Sequence, residues 1–60
     1  MKKANVYTRK VGAPKGPFHL THVIIVEIIS DDEFLGQIAN ETITYRFTKD
    51  AQGVYNPTPL

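Results

Sequence analysis

The stretch HVIIVEII, residues 22–29, decides the fold of this chain. Its β-branched residues read as a strand, and a strand sends alternate side chains to opposite faces. One face carries His22, Ile24, Val26 and Ile28; the other carries Val23, Ile25, Glu27 and Ile29. Both faces are mostly apolar, so both need cover, and a chain of 60 residues has little left with which to cover them. A domain of this size buries only about 60% of the surface its unfolded chain exposes. Disulfides, a metal or a partner chain commonly make up the deficit. There is no cysteine, which removes disulfides, thiolate metal sites and cysteine nucleophiles together. A partner chain is the most available remaining source of burial.

Downstream of this stretch, residues 30–40 admit two readings. Ser30-Asp31-Asp32-Glu33 forms a capping box, and Phe34, Leu35 and Ile38 fall at helical spacing, which would make a short helix over 31–39. Gly36 at its centre and a length under three turns weigh against a helix. A hairpin turning at Asn40-Glu41 would pair Ile38 with Ile43, Gly36 with Tyr45 and Phe34 with Phe47 on one face. Leu35 would meet Arg46 and Gln37 would meet Thr44 on the other, and an aromatic ring would lie across from the glycine. The hairpin is the favoured reading. Residues 42–48 alternate as a strand, with Ile43, Tyr45 and Phe47 to one side and Thr42, Thr44, Arg46 and Thr48 to the other. Residues 49–53 turn the chain, with Gly53 suited to a left-handed position. Val54 and Tyr55 can start a last short strand before two prolines stop it.

The hairpin covers one side of HVIIVEII, and the loop at Ser30–Glu33 selects which. A two-residue turn at Asp31-Asp32 would put Glu27 in the core; one extra residue puts it outside. An unpaired buried carboxylate costs several kcal/mol, so the second arrangement is expected. Ile24, Val26 and Ile28 then fill the core, and Val23, Ile25, Glu27 and Ile29 form an outer face that joins a second copy. The chain is therefore expected to be a homodimer.

Upstream, residues 5–11 have the content of a short strand, closing a small barrel, and end at Gly12-Ala13-Pro14-Lys15-Gly16-Pro17, a wide loop. This loop lacks the spacing of a phosphate loop. The expected architecture is all-β, a small meander-type barrel or sheet of four to five strands, SH3-like or similar. It forms one domain over 1–60, with a basic amino-terminal arm at 1–4 and an extended tail at 56–60.

Composition is that of an ordinary folded protein, 42% hydrophobic and 22% charged. The longest apolar run is broken by Glu27 and falls well short of the roughly 20 residues of a membrane span; a cytoplasmic location without membrane contact is expected. Net charge is +1, but its sign is unevenly spread. Lys2, Lys3, Arg9, Lys10 and Lys15 precede the first acid, Glu27, after which acids predominate. Such an asymmetry points to an acidic partner: nucleic acid, an acidic protein surface or the acidic end of a second copy.

Catalytic constellations are weak. His19 and His22 would point to opposite strand faces, a poor metal geometry. The cluster Asp31-Asp32-Glu33 lacks calcium-loop spacing, no nucleophile elbow surrounds the hydroxyl residues, and no cofactor is implied. A non-enzymatic binding module is expected. Tyr7, Tyr45, Tyr55, Phe18, Phe34 and Phe47 are interleaved with Arg9, Lys10, Arg46 and Lys49, and small barrels bind single strands by stacking bases on aromatics while cations follow phosphates. The hairpin register leaves Tyr7, Tyr55 and Phe18 for that role. The leading expectation is a nucleic-acid-binding regulator. Lys2, Lys3, Arg9, Lys10 and Lys15 would meet phosphates, and Arg46 and Tyr7 would meet bases. The alternative is a protein-binding modulator, a phage-type accessory factor that joins a host protein through a strand edge or apolar patch.

VYTRKVG, residues 6–12, resembles the opening strand of the carbon storage regulator family of RNA-binding proteins. The resemblance implies an intertwined β dimer in which a late arginine, here Arg46 in TITYRFT, contacts RNA. The sequence departs from that pattern. No glutamate follows Gly12, the loop to His19 is longer, the acid expected after the late arginine is missing, and no carboxy-terminal helix is apparent.

Overall fold

Residues 33–38 enter a hairpin rather than a helix, and four of the five expected pairs are observed; Ile38 and Ile43 do not pair. The computed structural model describes residues 2–60. Phe34 pairs with Phe47, Leu35 with Arg46, Gly36 with Tyr45 and Gln37 with Thr44. The strands are β1 (Lys2–Arg9), β2 (Phe18–Ser30), β3 (Glu33–Ile38), β4 (Thr44–Lys49) and β5 (Tyr55–Pro59). Each runs antiparallel to the next, and β1 meets β5 in parallel through Thr8 and Tyr55, closing a five-strand barrel. Among the described residues there is no helix, so none is long and apolar enough to cross a membrane. The barrel is all-β and of the small SH3-like kind, closed within a single chain rather than intertwined.

The core is an aromatic stack with one aliphatic wall. Phe47 is fully buried, Phe34 lies parallel to it at 4.6 Å between ring centroids, and Tyr55 meets Phe34 edge-on at 5.0 Å. Gly36 makes room for this stack. A Cβ there would sit 2.7 Å from the Ile24 carbonyl oxygen and 3.1 Å from the Phe34 ring. Because the Ile24 atom belongs to the backbone, the sheet itself would have to move. Gly36→Ala is therefore expected to lower stability by about 2 kcal/mol, read as a lower midpoint in urea denaturation with an unchanged slope. Ile43, expected in the core, is exposed instead: β4 begins at Thr44, two residues later than expected, and residues 39–43 connect the strands. There Asn40 takes a positive φ of 71°, and the Glu41 amide donates to the Ile38 carbonyl at 3.0 Å. The Tyr45 hydroxyl donates to Glu41 at 2.9 Å, which raises its pKa above the ordinary tyrosine value.

The two apolar faces of β2 have a different answer from the one the sequence suggests. The Asp31-Asp32 turn is the tight two-residue kind, with Ser30 opposite Glu33. The register then slips twice, between Ile28 and Ser30 and again between Ile25 and Glu27. Each slip is a bulge, and each exchanges the inner and outer sides of the strand. After the first, Glu27 stands outside opposite Leu35 and Ile28 comes opposite Phe34. After the second, the sides swap back. Val23 is 1% exposed in the core, and Ile25 packs against the core beside it. Val23 and Ile25 are thus not the outer face expected of them, and Ile24, expected inside, lies outside opposite Gln37. Val26, at the second slip, is exposed, as are Ile28 and Ile29.

The terminal segments also differ from expectation. Residues 2–4 open β1 instead of forming a free arm; residue 1 of that expected arm lies outside the described residues. Residues 56–59 belong to β5, despite two prolines. Pro57 and Pro59 stand opposite Phe47 and Tyr45, while the other flank of β5 is bridged only at Tyr55. An edge position of this kind tolerates a residue without an amide hydrogen.

Candidate nucleic-acid interface

The outer face of the β1–β2 ladder carries four cross-strand pairs in sequence. They are Arg9 with Phe18, Tyr7 with Leu20, Asn5 with His22, and Lys3 with Ile24. Inward positions of the same ladder hold Val23 and the Thr8 and Thr21 hydroxyls, which share a buried hydrogen bond of 2.6 Å. The inner threonines explain why the outer row can be so apolar: Leu20 and Phe18 fall on the wrong parity for the core. Tyr7 is 52% exposed, Phe18 51% and Leu20 52%. The Tyr7 and Phe18 rings meet edge to face, with centroids 5.6 Å apart and planes at 86°.

Arg9 does not reach solvent. Its side chain is 6% exposed and forms a part-buried ion pair with Asp50, while its Nε donates to the Gly16 carbonyl at 2.9 Å. It also donates to the Gln52 side chain and lies 5.7 Å from the Phe18 ring centroid. This corrects its expected role as a phosphate ligand. Each of its three side-chain nitrogens donates to the loop at 10–17 or the turn at 50–53, so Arg9 braces two loops and backs Phe18. Asp50 is equally committed, accepting from the Gln52 amide at 2.9 Å and the Val54 amide at 3.2 Å. Burial pushes its carboxyl up, but the Val54 and Gln52 amides and the Arg9 guanidinium outweigh that and hold it below its ordinary value.

Arg46 lies on another face of the barrel from Tyr7. It is exposed on β4, and its Nε donates to Glu33 at 2.7 Å in a surface ion pair. Tyr7 and Arg46 are therefore not brought together as base-contacting neighbours. Lys10 and Lys15 are exposed in the loop beyond Arg9, and Lys2 and Lys3 are exposed at the opposite end of β1. The basic residues thus bracket the Tyr7–Phe18–Leu20 patch, and none of the four outer pairs contains an acid. At about 3.4 Å per residue, the row from Lys3 to Arg9 is roughly 20 Å long.

Leu20, His22 and Asn5 are additions that the sequence reading missed. The His22 Nδ1 and the Asn5 carboxamide oxygen are hydrogen-bonded to each other on the exposed ladder. Extending β2 back to Phe18 would have aligned all of them, because Thr21 and Val23 fix the inner parity. Among the described residues, no three His, Asp or Glu side chains converge to hold a metal ion. No family model matches the chain, and comparison with curated proteins and with solved structures likewise gives no match.

Proposed function

We propose that this protein is a non-catalytic module that binds single-stranded nucleic acid across the outer face of β1 and β2. The observation that carries the reading is the exposed Tyr7–Phe18 pair, flanked by lysines and free of acids. Two aromatic rings held against each other offer sequence-tolerant stacking surfaces for bases. Phe18 is stiffened from behind by Arg9, so little side-chain freedom is lost on binding. Lys10 and Lys15 at one end and Lys3 at the other are spaced to meet phosphates on either side of the stacked bases. His22 and Asn5 supply hydrogen-bonding groups between them.

The test is fluorescence anisotropy with labelled single-stranded DNA and RNA oligonucleotides over a salt series. Tyr7→Ala with Phe18→Ala is expected to weaken binding by about a hundredfold, since each stacked base contributes roughly 1–3 kcal/mol. Removing Lys10 and Lys15 should flatten the slope of log K against log salt by about 1.4, because each single-strand phosphate left without its lysine accounts for roughly 0.7. Affinity that ignores both salt and the aromatic substitutions would sink the proposal. A protein-binding role is the second reading, favoured by the exposed Val26, Ile28 and Ile29 along one flank of β2. A stoichiometric protein partner retained after nuclease treatment would favour it.

A further inference from the structure

Among the described residues, the far end of β2 has one flank with no strand beside it. β1 covers β2 only as far as Ile25, where Lys2 pairs, and β3 takes the other flank. Residues 26–30 therefore present an open edge among the described residues. Along it Val26 is 50% exposed, Ile28 65% and Ile29 42%. An open apolar edge invites another chain, and proteins commonly blunt or cover such edges. Here the two bulges bend it, which works against unlimited sheet growth while leaving room for a closed pair.

We propose that this edge is the contact between two copies of the chain, related by a two-fold axis at Ile28. The charges flanking Ile28 carry the argument. Asp31 and Asp32 follow it by three and four residues. Ile25 and Ile24 precede it by three and four, and they have Lys2 and Lys3 beside them on β1. The acidic turn closes β2 just beyond Ile28, and Lys2 and Lys3 lie beside the residues before it, so the two charge pairs stand on opposite sides of Ile28 along the strand. A two-fold axis sets the two edges antiparallel and makes the contact self-complementary. The acidic turn of each copy then lies against Lys2 and Lys3 of the other, twice over. A parallel arrangement would set acid against acid and base against base. Within the protomer these charges are nearly uncommitted among the described residues: Asp32 has a 3.6 Å contact from Lys49, and Asp31, Lys2 and Lys3 have no ion pair.

The centre of this contact is apolar and its rim charged, the usual anatomy of a specific interface. Ile28 also borders the open end of the barrel with Val6, Ile25, Phe34 and Tyr55, so a partner's Ile28 would close that mouth. Glu27 points to the outer face, opposite Leu35, and stays hydrated.

Sedimentation equilibrium on the nuclease-treated full chain, at roughly 100 micromolar, tests this. The expected mass is that of two chains. Ile28→Lys, at an exposed position, should raise the dissociation constant by at least about tenfold with an unchanged circular dichroism spectrum. A Lys2→Asp, Lys3→Asp double variant and an Asp31→Lys, Asp32→Lys double variant should each run as single chains and regain the two-chain mass when mixed. A one-chain mass for the natural sequence overturns the proposal and leaves the edge to an unrelated protein. A two-chain mass unmoved by Ile28→Lys, or a charge-swapped mixture that stays monomeric, also overturns it.

Discussion

Arg9→Ala is expected to lower stability by about 3 kcal/mol, more than half of what a domain this small commonly has. The Arg9 side chain is 6% exposed and Asp50 28%. Removing the guanidinium leaves the carboxylate, the Gln52 side-chain oxygen and the Gly16 carbonyl without their shared donor. Breaking a buried pair from one side costs about 3–5 kcal/mol, and the partial hydration of Asp50 places this case at the lower end. A small domain commonly has a total stability of only about 5 kcal/mol. Urea denaturation followed by circular dichroism measures the loss. Lys10→Ala, one residue on but exposed, should stay within about 0.5 kcal/mol. If Arg9→Ala kept the natural midpoint while losing oligonucleotide affinity, Arg9 would be a phosphate ligand and its bracing role would be wrong. The same site gives a pH dependence. The folded-state pKa of Asp50 lies below its ordinary 3.8, so its contribution is present above that value. It is lost as acid carries the pH down through the lowered folded value.

Phe47→Ala should be more damaging still, abolishing the cooperative transition. Phe47 is 0% exposed, stacks on Phe34 and meets Tyr45 edge-on at 6.0 Å. Truncating a buried phenylalanine costs about 3–5 kcal/mol, and a barrel this small has few other residues that could close over the void. Proton NMR should show collapsed chemical-shift dispersion for Phe47→Ala and retained dispersion for Phe47→Leu, which keeps most of the volume. Retained dispersion in the alanine variant would mean that the aromatic stack is not the organising core.

The β3–β4 hairpin was legible because its residues agree at every level. Alternation, the glycine opposite an aromatic ring and the Phe34–Phe47 match all select one register. β2 was not legible in the same way. Its bulges leave no mark in periodicity, since apolar residues occupy both parities and either assignment satisfies the pattern. Only the outward position of Glu27 could be argued, on the cost of burying a charge. For the candidate site, exposure of Tyr7 and of the lysines could be read from the order of residues. The burial of Arg9 could not, because its partners Asp50 and Gln52 are more than forty positions away and are brought near only when β1 closes on β5.

The supernumerary residue at Val26 makes spacing as well as chemistry part of what the chain encodes. Losing it would straighten the ribbon and turn the stretch before it inside out, pushing Ile24 and Leu20 toward the oil and Val23 and Thr21 toward water. A single-codon deletion there would act as a frameshift of wetting rather than of reading, with every amino acid on either side left as it was.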